Sequence, residues 1–321
     1  MNTLLKSEHY EEALLMFLEQ QKLNKVPSAS QIARDLCDKY KITCTSSIER
    51  RVRKWLNPDL NVSLTNPTNT PKVLIYDIET SRIVVDAWWT GKQYIGHDQI
   101  MDEPKIITVA WKWLGDNTVH ALTWDKNKSD KKLMKKFLKV YNDADLVIGQ
   151  NNDNFDNRWI NARAMKYDFD VNVHIKSLDL MKQAKRLFRL PSYSMSFITK
   201  FKGLESKMQH TGLQMWRDIQ FGEKAVAKQA LAHMVEYNKQ DIVATEDMYL
   251  KLRKYMGHVA HLGVLKGCTK ESCPTCGSSN IELYGTTVTP AGRIQRIMRC
   301  KDDNVTFKLS NTQYLKLQIN E

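Results

Sequence analysis

Apolar residues in the middle of the chain, from about residue 72 to residue 257, fall into short runs that alternate with helical repeats. Runs at 73–76, 105–113 and 145–149 predict buried strands, and 118–124 predicts a strand that forms a hairpin with 105–113. Four segments have helical spacing and predict helices: 131–144, 157–167, 180–187 and 225–256. This alternation predicts an α/β domain over 72–257, with a mixed sheet flanked by helices.

The first 57 residues follow a different pattern, in which charged and apolar residues recur at helical spacing throughout. A helix is predicted over 28–38 with Ile32, Ala33 and Leu36 on one face, and a further helix over 45–56. That further helix has three inward positions, Ile48, Val52 and Leu56, and four mostly outward basic positions, Arg50, Arg51, Arg53 and Lys54. Residues 58–71 are rich in Pro, Asn and Thr, which predicts a linker.

The helices over 28–38 and 45–56 have two interpretations of about equal weight. In the first they form a helix-turn-helix, and the basic residues of 45–56 contact nucleic acid as a recognition helix. In the second they form a small helical bundle whose basic face is only solvated.

The charge balance of the chain bears on its partner. The formal net charge is +12 and the isoelectric point about 9.3, which favours a polyanion, most commonly nucleic acid. The length of 321 residues predicts two or three domains. No apolar run approaches the ~20 residues of a membrane span, and acidic residues interrupt the first apolar segment, so no signal peptide is predicted. We expect a cytoplasmic protein without a membrane partner.

Two carboxylates stand at the end of the first predicted strand. Asp77 and Glu79 follow 73–76 directly, and side chains two residues apart in a strand share a face. Like charges at this spacing repel one another and lose hydration beside a core. A hard divalent cation, which takes oxygen ligands, is the usual compensation, so the pair predicts a metal site.

A second acidic segment follows the strand at 145–149. Asp156 lies near the start of the next helix, and we prefer it to Asp153 because Phe155 is expected to anchor it to the core. Asn151 in the same segment either reaches a scissile phosphate or orders the loop.

The third segment lies on the last predicted helix of this domain. Tyr237 and Asp241 are four residues apart, so they share one face of the helix. In this arrangement the carboxylate suits a metal, and the phenol suits the orientation of an attacking water.

The three segments together resemble the DEDDy subgroup of the DnaQ-like 3′–5′ exonucleases, which have a ribonuclease H-like fold. The matching motifs are Asp77-Ile-Glu79, Asn151-x-x-x-Phe155-Asp156 and Tyr237-x-x-x-Asp241, in the order and spacing of the family. Four further segments are most similar to YprB-like and phage-encoded members: DIETSRIVVDAWW, IITVAWKWLG, KSLDLMKQAKR and HTGLQMW. The resemblance covers roughly residues 72–257.

This resemblance implies two-metal hydrolysis of phosphodiester bonds, with release of 5′-mononucleotides from the 3′ end. In the family pattern Asp77, Glu79 and Asp241 hold one magnesium or manganese ion. Asp77 bridges to a second ion, Asp156 supports that ion, and Tyr237 aims the attacking water. The implied substrate is nucleic acid with a free 3′ end, DNA being favoured. Replication or repair proteins are the implied partners, in the host cytoplasm if the chain is phage-encoded.

Four of the six cysteines lie near the C-terminus, and the run Cys273-Pro-Thr-Cys276-Gly is typical of a zinc knuckle. Cys300 follows some twenty residues later, and Asp303 stands where related members usually have their fourth cysteine. The fourth ligand is Asp303 or Cys268, and the remaining alternatives are a weakened site or free thiols. We expect one structural zinc in a ribbon-like module over 265–310.

Two other functions stay open. An RNA 3′ exonuclease would use the same fold, and nothing in the sequence reads a 2′-hydroxyl. A non-catalytic nucleic-acid-binding protein would keep the carboxylates for structure alone, although the intact set of four acids argues against it. Trp88 and Trp89 are expected to pack in the core, with stacking on a terminal base as the alternative.

Overall fold

The structure of the chain is a computed structural model that describes residues 12–13, 15–16, 29–42, 48, 52, 71–203 and 212–319. The chain divides into two compact units, Met1–Thr68 and Asn69–Glu321. Over these described ranges, no helix has both the length and the apolar character that a membrane crossing requires.

In the first unit the described residues form a small apolar core around helix α1 (Ala29–Lys39). The helix buries Ile32, Ala33 and Leu36, the face that the spacing predicts. Cys37 of the same helix also belongs to this core, and the other members come from both sides of the helix in sequence: Ala13, Ile48 and Val52. Several predicted features fall outside the described residues: Leu56, most of the helix over 45–56, the linker, and the basic residues Arg50, Arg51, Arg53 and Lys54.

The second unit is built on a mixed sheet, as predicted. Its strands in chain order are β1 (Val73–Thr80), β2 (Val84–Val85), β3 (Ile100–Asp102), β4 (Ile106–Trp113), β5 (His120–Thr123), β6 (Leu146–Gly149) and β7 (Lys176–Asp179). Five of them form one sheet in the order β5-β4-β1-β6-β7, while β2 and β3 pair only with each other. Strand β1 is central, antiparallel to β4 and parallel to β6, and β7 continues the parallel side.

Helices cover both faces of this sheet. They are α2 (Lys131–Tyr141), α3 (Asp156–Tyr167), α4 (Leu180–Leu187), α5 (Met195–Phe201), α6 (Leu213–Phe221), α7 (Lys224–Leu252) and α8 (Leu262–Leu265). Side chains of α2 and α3 form the core on one face, and side chains of α4, α5 and α7 form the core on the other. The long helix α7 crosses both β1 and β4.

Alternation along β1 divides its side chains between the two cores. Leu74, Tyr76 and Ile78 pack against α2 and α3, whereas Val73 and Ile75 pack on the side of α7. The next two residues of β1 on the side of α7 are Asp77 and Glu79. This side of the strand thus changes from apolar to acidic, at the carboxylates of the predicted metal site.

The C-terminal part of this unit is a three-stranded antiparallel sheet with one helix. Its elements are β8 (Ile281–Val288), β9 (Ile294–Cys300), β10 (Thr306–Ser310) and α9 (Asn311–Ile319). The small core contains Met298, Phe307 and Leu309, together with Cys273 and Cys300. Because so few apolar side chains are buried here, this part of the fold needs a further source of stability.

The prediction that Trp88 and Trp89 pack in the core is wrong. Trp88 is 91% exposed and Trp89 64% exposed, and Tyr94 in the same segment is 92% exposed. The segment lies between β2 and β3, which pair with each other and not with the central sheet. It therefore has no strand contact that would draw its aromatic rings into either core.

Candidate metal centre

The end of β1 and the middle of α7 bring three carboxylates together. Asp77 and Glu79 continue the face of β1 that packs against α7, and Asp241 precedes Ile242, a buried member of the α7 core. One ligand oxygen from each of Asp77, Glu79 and Asp241 lies within 4.8 Å of the others. Strand alternation and helix packing thus gather, from positions 164 residues apart in sequence, an all-oxygen donor set that suits a hard divalent cation.

Asn238 is a member of this site that the sequence analysis missed. It lies on α7, is fully buried, and its Nδ2 donates a hydrogen bond of 2.7 Å to Oδ2 of Asp77. The bond ties α7 to β1 and fixes the orientation of the Asp77 carboxylate. The available signal was its position three residues before Asp241, which places the two side chains on the same face of the helix.

Tyr237 occupies the predicted position, one turn before Asp241 on α7, and is buried. Its neighbour in sequence, Asn238, contacts the carboxylate of Asp77, so this turn of α7 faces the acidic group.

Asp156 is the first residue of α3 and is buried next to the group of three. Its Oδ1 accepts a 3.0 Å hydrogen bond from the backbone N–H of Ile78, the residue between Asp77 and Glu79. Pairing of β1 with β6 ends at Ile75, so the side chain of Asp156 takes the place of a strand partner further along β1. Asp156 thus lies beside the acidic group, but its ligand atoms are not among the three that cluster within 4.8 Å.

Burial raises the pKa of the Asp156 carboxyl from its ordinary value of 3.8 to about 7, opposed in part by the hydrogen bond from Ile78. The negative charge of Asp179 acts in the same direction as burial. A carboxyl in this state takes up a proton near neutral pH unless a cation compensates its charge.

We expect the free energy of unfolding of the metal-free protein to depend on pH through Asp156. The substitution Asp156→Asn should remove that dependence. The folded-state pKa lies above the unfolded value, so the folded state keeps a proton that the unfolded chain releases between about pH 4 and pH 7. The free energy of unfolding should therefore fall as the pH rises through this range, by up to about 1.4 kcal/mol per pH unit. Asparagine still accepts from Ile78 and carries no charge.

Urea unfolding of both proteins at a series of pH values, without magnesium or manganese, measures this difference. Titrating groups distant from Asp156 are shared and cancel in the comparison, so the difference reports on Asp156 and the carboxyls that interact with it. Parallel curves for the two proteins would show that Asp156 titrates as an ordinary carboxyl.

The loop before α3 is held by backbone and side-chain hydrogen bonds. Asn151 has a positive φ of 64°, and its backbone N–H donates to Oδ1 of Asp179 at 3.1 Å. Asp153 accepts from Lys182 Nζ at 2.8 Å and from the hydroxyl of Ser177. The side chain of Asn151 contributes to the loop as well, because its Oδ1 accepts a 3.2 Å hydrogen bond from Nδ2 of Asn154, and the bonds of Asp153 are all within the same region.

The reason given for preferring Asp156 over Asp153 is wrong. Phe155 is 38% exposed and meets Trp159 edge to face, so it does not anchor its neighbour in the core. The hydrogen bond from Ile78 holds Asp156 instead.

A second group of possible metal ligands lies in the C-terminal sheet. Cys273, Cys276, Cys300 and Asp303 each offer an atom within 4.8 Å of the others. The sulfur atoms of Cys276 and Cys300 are 3.6 Å apart, and Cys273 Sγ lies 3.6 Å from Oδ2 of Asp303. Three sulfurs and one oxygen at this spacing suit tetrahedral zinc. Burial raises the pKa of the Cys273 and Cys276 thiols, a cost that a bound cation would offset.

Cys268, the alternative fourth ligand, lies outside this group. It sits instead beside Gly277, where a Cβ on the glycine would come within 3.1 Å of its sulfur. Of the two candidates, the structure brings Asp303 to the three cysteines.

Comparison with known proteins bears on the class of the central domain. Residues 98–253, a little under half of the chain, match the family described as the RNase_H superfamily, so this range is similar to an RNase H-like domain. The matched range includes Asp156 and Asp241 and begins after β1. No curated protein matches the sequence.

Among similar solved structures is the family B DNA polymerase from the hyperthermophilic archaeon Pyrobaculum calidifontis. The two sequences are 15% identical, and the TM-score is 0.44. The similar region covers 61% of this chain and 26% of the polymerase chain, so this chain spans about a quarter of that relative.

The RNase H-like domain supports a nuclease-type function in nucleic-acid processing. RNase H-like nucleases use divalent metals, and the acidic group offers the oxygen ligands that such ions take, whereas the cysteine group suits zinc.

Proposed function

We propose that the protein is a metal-dependent 3′–5′ exonuclease that hydrolyses phosphodiester bonds of nucleic acid and releases 5′-mononucleotides. One observation carries the proposal: Asp77, Glu79 and Asp241 converge from two distant elements to within 4.8 Å, in a chain whose central domain is RNase H-like. A cluster of like-charged carboxylates is costly to hold beside a core unless cations bind among them.

Two bound magnesium or manganese ions would polarise the phosphate and help to form the attacking hydroxide. From the sequence resemblance we assign Asp77 to both ions, and Asn238 holds one of its oxygens in place. Glu79 and Asp241 complete the first site. Asp156, buried beside Ile78, supports the second.

The direction of digestion and the substrate rest on the sequence resemblance and on charge. Tyr237 before Asp241 is the arrangement of the DEDDy subgroup, whose members digest from the 3′ end. The net charge of +12 suits a nucleic-acid substrate, and DNA is our preferred form. We place the protein with YprB-like and phage-encoded enzymes, as a cytoplasmic partner of replication or repair proteins.

The domain boundaries belong to the same proposal. We assign residues 1–57 to a helical domain, with a helix-turn-helix as one of its two interpretations, 58–71 to a linker, 72–257 to the exonuclease domain, and 265–310 to a zinc ribbon with Cys273, Cys276, Cys300 and Asp303 as ligands. The buried α1 face supports the first assignment and the cysteine group supports the last.

Digestion of end-labelled oligonucleotides tests the function. With magnesium or manganese, we expect a 3′-labelled strand to lose its label at once as a mononucleotide and a 5′-labelled strand to shorten progressively. A parallel panel of single-stranded, duplex and 3′-overhang DNA with matched RNA identifies the substrate. Binding without cleavage of any member would favour a non-catalytic protein, and preferential digestion of RNA would favour an RNA exonuclease.

Tyr237→Phe should slow turnover without abolishing it. The substitution removes the hydroxyl that we assign to the attacking water and keeps the buried ring in place. We expect kcat to fall roughly tenfold to a hundredfold with little change in KM, because the lost interaction matters mainly in the transition state. Tyr249→Phe, a buried tyrosine three turns further along α7, is the matched control and should keep full activity. An unchanged kcat in Tyr237→Phe would remove Tyr237 from the reaction.

A further inference from the structure

A cleft of about 590 Å³ separates the central sheet from the C-terminal sheet. Asp145 and Lys176 line it from the central sheet, and Phe307 and Lys308 of β10 line it from the other side. Leu309 and Gln313 also belong to the C-terminal side, and the segment that connects the two sheets contributes further lining residues, among them His261, Lys270 and Pro274. The volume lies within the range of sites that bind small molecules and nucleotides.

The cleft and the acidic group lie at opposite ends of the parallel strands. Asp145 directly precedes β6 and Lys176 begins β7, so both stand at the amino ends of the parallel strands. Asp77 and Glu79 lie beyond the point where pairing of β1 with β6 ends, at the carboxyl ends. The two sites are thus separated by the full length of the strands.

The charges around the cleft favour an anion. Lys176, Lys270 and Lys308 are exposed, and none of them forms an ion pair with another residue in the described part of the chain. Asp145, the one carboxylate in the lining, accepts a 2.8 Å hydrogen bond from the backbone N–H of Lys72. With three ammonium groups and one carboxylate, the lining carries a net positive charge.

Apolar groups form another part of the lining. They are Val264 and Leu265, which are partly exposed, and Pro274 and Phe307, which are largely buried. His261 has a fixed ring: Nδ1 accepts from the N–H of Val264 at 3.1 Å, and Nε2 lies 3.3 Å from the carbonyl of Lys270. These contacts place the proton on Nε2 and leave a neutral, oriented imidazole.

We propose that this cleft binds a single strand of nucleic acid, with phosphates at Lys176, Lys270 and Lys308 and a base against the apolar lining. A positive groove with flat apolar surfaces is the arrangement that holds single strands without reading their sequence. Binding in the cleft needs no hydrolysis. We take the bound strand to be the one whose 3′ end reaches the acidic group, and this part rests on the proposed function.

The test compares the triple variant Lys176→Ala, Lys270→Ala, Lys308→Ala with a variant of equal charge. The control is Lys132→Ala, Lys135→Ala, Lys136→Ala, which removes three exposed lysines from α2 on the other face of the central sheet. The probe is a fluorescent oligothymidylate of about twenty nucleotides, titrated without added magnesium or manganese so that no digestion occurs. The binding measurement requires neither a chelator nor a substitution in the cysteine group.

We expect the cleft variant to bind the strand about tenfold more weakly than the wild type. The plot of log affinity against log salt concentration should lose about two units of slope, because each contact with a single-strand phosphate contributes about 0.7. The control variant should keep most of both. Equal losses in the two variants would reduce the effect to net charge, and wild-type binding by the cleft variant would overturn the proposal.

Two further arms separate this proposal from others. Thymidine 5′-monophosphate should displace the strand only at far higher concentration; displacement at equal concentration would make the cleft a site for free nucleotides and overturn strand binding. Hydrolysis of thymidine 5′-(p-nitrophenyl phosphate) needs only the acidic group and should be equal in all three proteins. Absence of that hydrolysis in the wild type would count against the proposed exonuclease activity. The strand-binding proposal would still be decided by the binding titrations.

Discussion

Asp77→Ala should abolish hydrolysis of nucleic acid while the protein stays folded. Asp77 is the carboxylate assigned to both ions, and it belongs to the group formed with Glu79 and Asp241. A bound metal ion contributes several kcal/mol of charge stabilisation in the transition state. Since each ~1.4 kcal/mol changes the rate tenfold, we expect a loss of roughly three orders of magnitude or more.

The fold should survive because the acidic group costs stability when no ion is bound. Three carboxylates within 4.8 Å repel one another, so removal of one relieves repulsion in the metal-free protein. Relief of this repulsion offsets the loss of the hydrogen bond from Asn238, so we expect the unfolding temperature of Asp77→Ala to be close to that of the wild type without divalent ions. Magnesium or manganese should raise the unfolding temperature of the wild type and have little effect on the variant.

Two other variants make this result specific. Asp241→Ala removes a ligand supplied by α7 and should be equally inactive. Asp116→Ala removes an exposed carboxylate in the turn between β4 and β5 and should keep full activity. Wild-type turnover in Asp77→Ala would exclude the mechanism, whatever the outcome for the others.

Loss of the proposed zinc should unfold the C-terminal sheet. The buried side chains of this sheet are few, and two of them, Cys273 and Cys300, are proposed ligands. In small domains of this kind a bound zinc contributes much of the folding free energy, about 10–16 kcal/mol in zinc-finger peptides. Cys276→Ser should therefore abolish zinc binding and expose the backbone of β8, β9 and β10 to hydrogen exchange.

Metal analysis and hydrogen exchange together measure this effect. The purified protein should contain about one zinc per chain, and Asp303→Asn should weaken its retention. Cys268→Ser is the matched control and should change neither zinc content nor exchange, because Cys268 lies outside the group. A wild-type protein that contains no zinc would exclude the ribbon, and loss of zinc in Cys268→Ser would move the fourth ligand.

Sequence patterns predict the elements that carry the candidate site because burial and chemistry coincide there. The apolar run at 73–76 predicts a buried strand, and β1 continues this run as far as Thr80. Spacing over 225–256 predicts the helix that becomes α7. Strand alternation alone then predicts that the two carboxylates of β1 share one face, which is the face that packs against this helix.

Other features are invisible to these patterns because they depend on distant contacts. Strand β7 is four residues long and begins with exposed Lys176, so no apolar run marks it. The hydrogen bond from Asn238 to Asp77 joins residues 161 positions apart. Phe155 was expected to be buried from its aromatic character alone, but its surroundings leave it exposed. Hydrophobicity tells which residues favour a core and does not tell which of them reach one.

The central claim is that the acidic group holds divalent cations, and diffraction from a crystal soaked in manganese tests it most directly. Anomalous scattering locates manganese without reference to activity. We expect two peaks about 3.5–4 Å apart among the oxygens of Asp77, Glu79, Asp156 and Asp241. A fully soaked crystal with no manganese at these carboxylates would contradict the account.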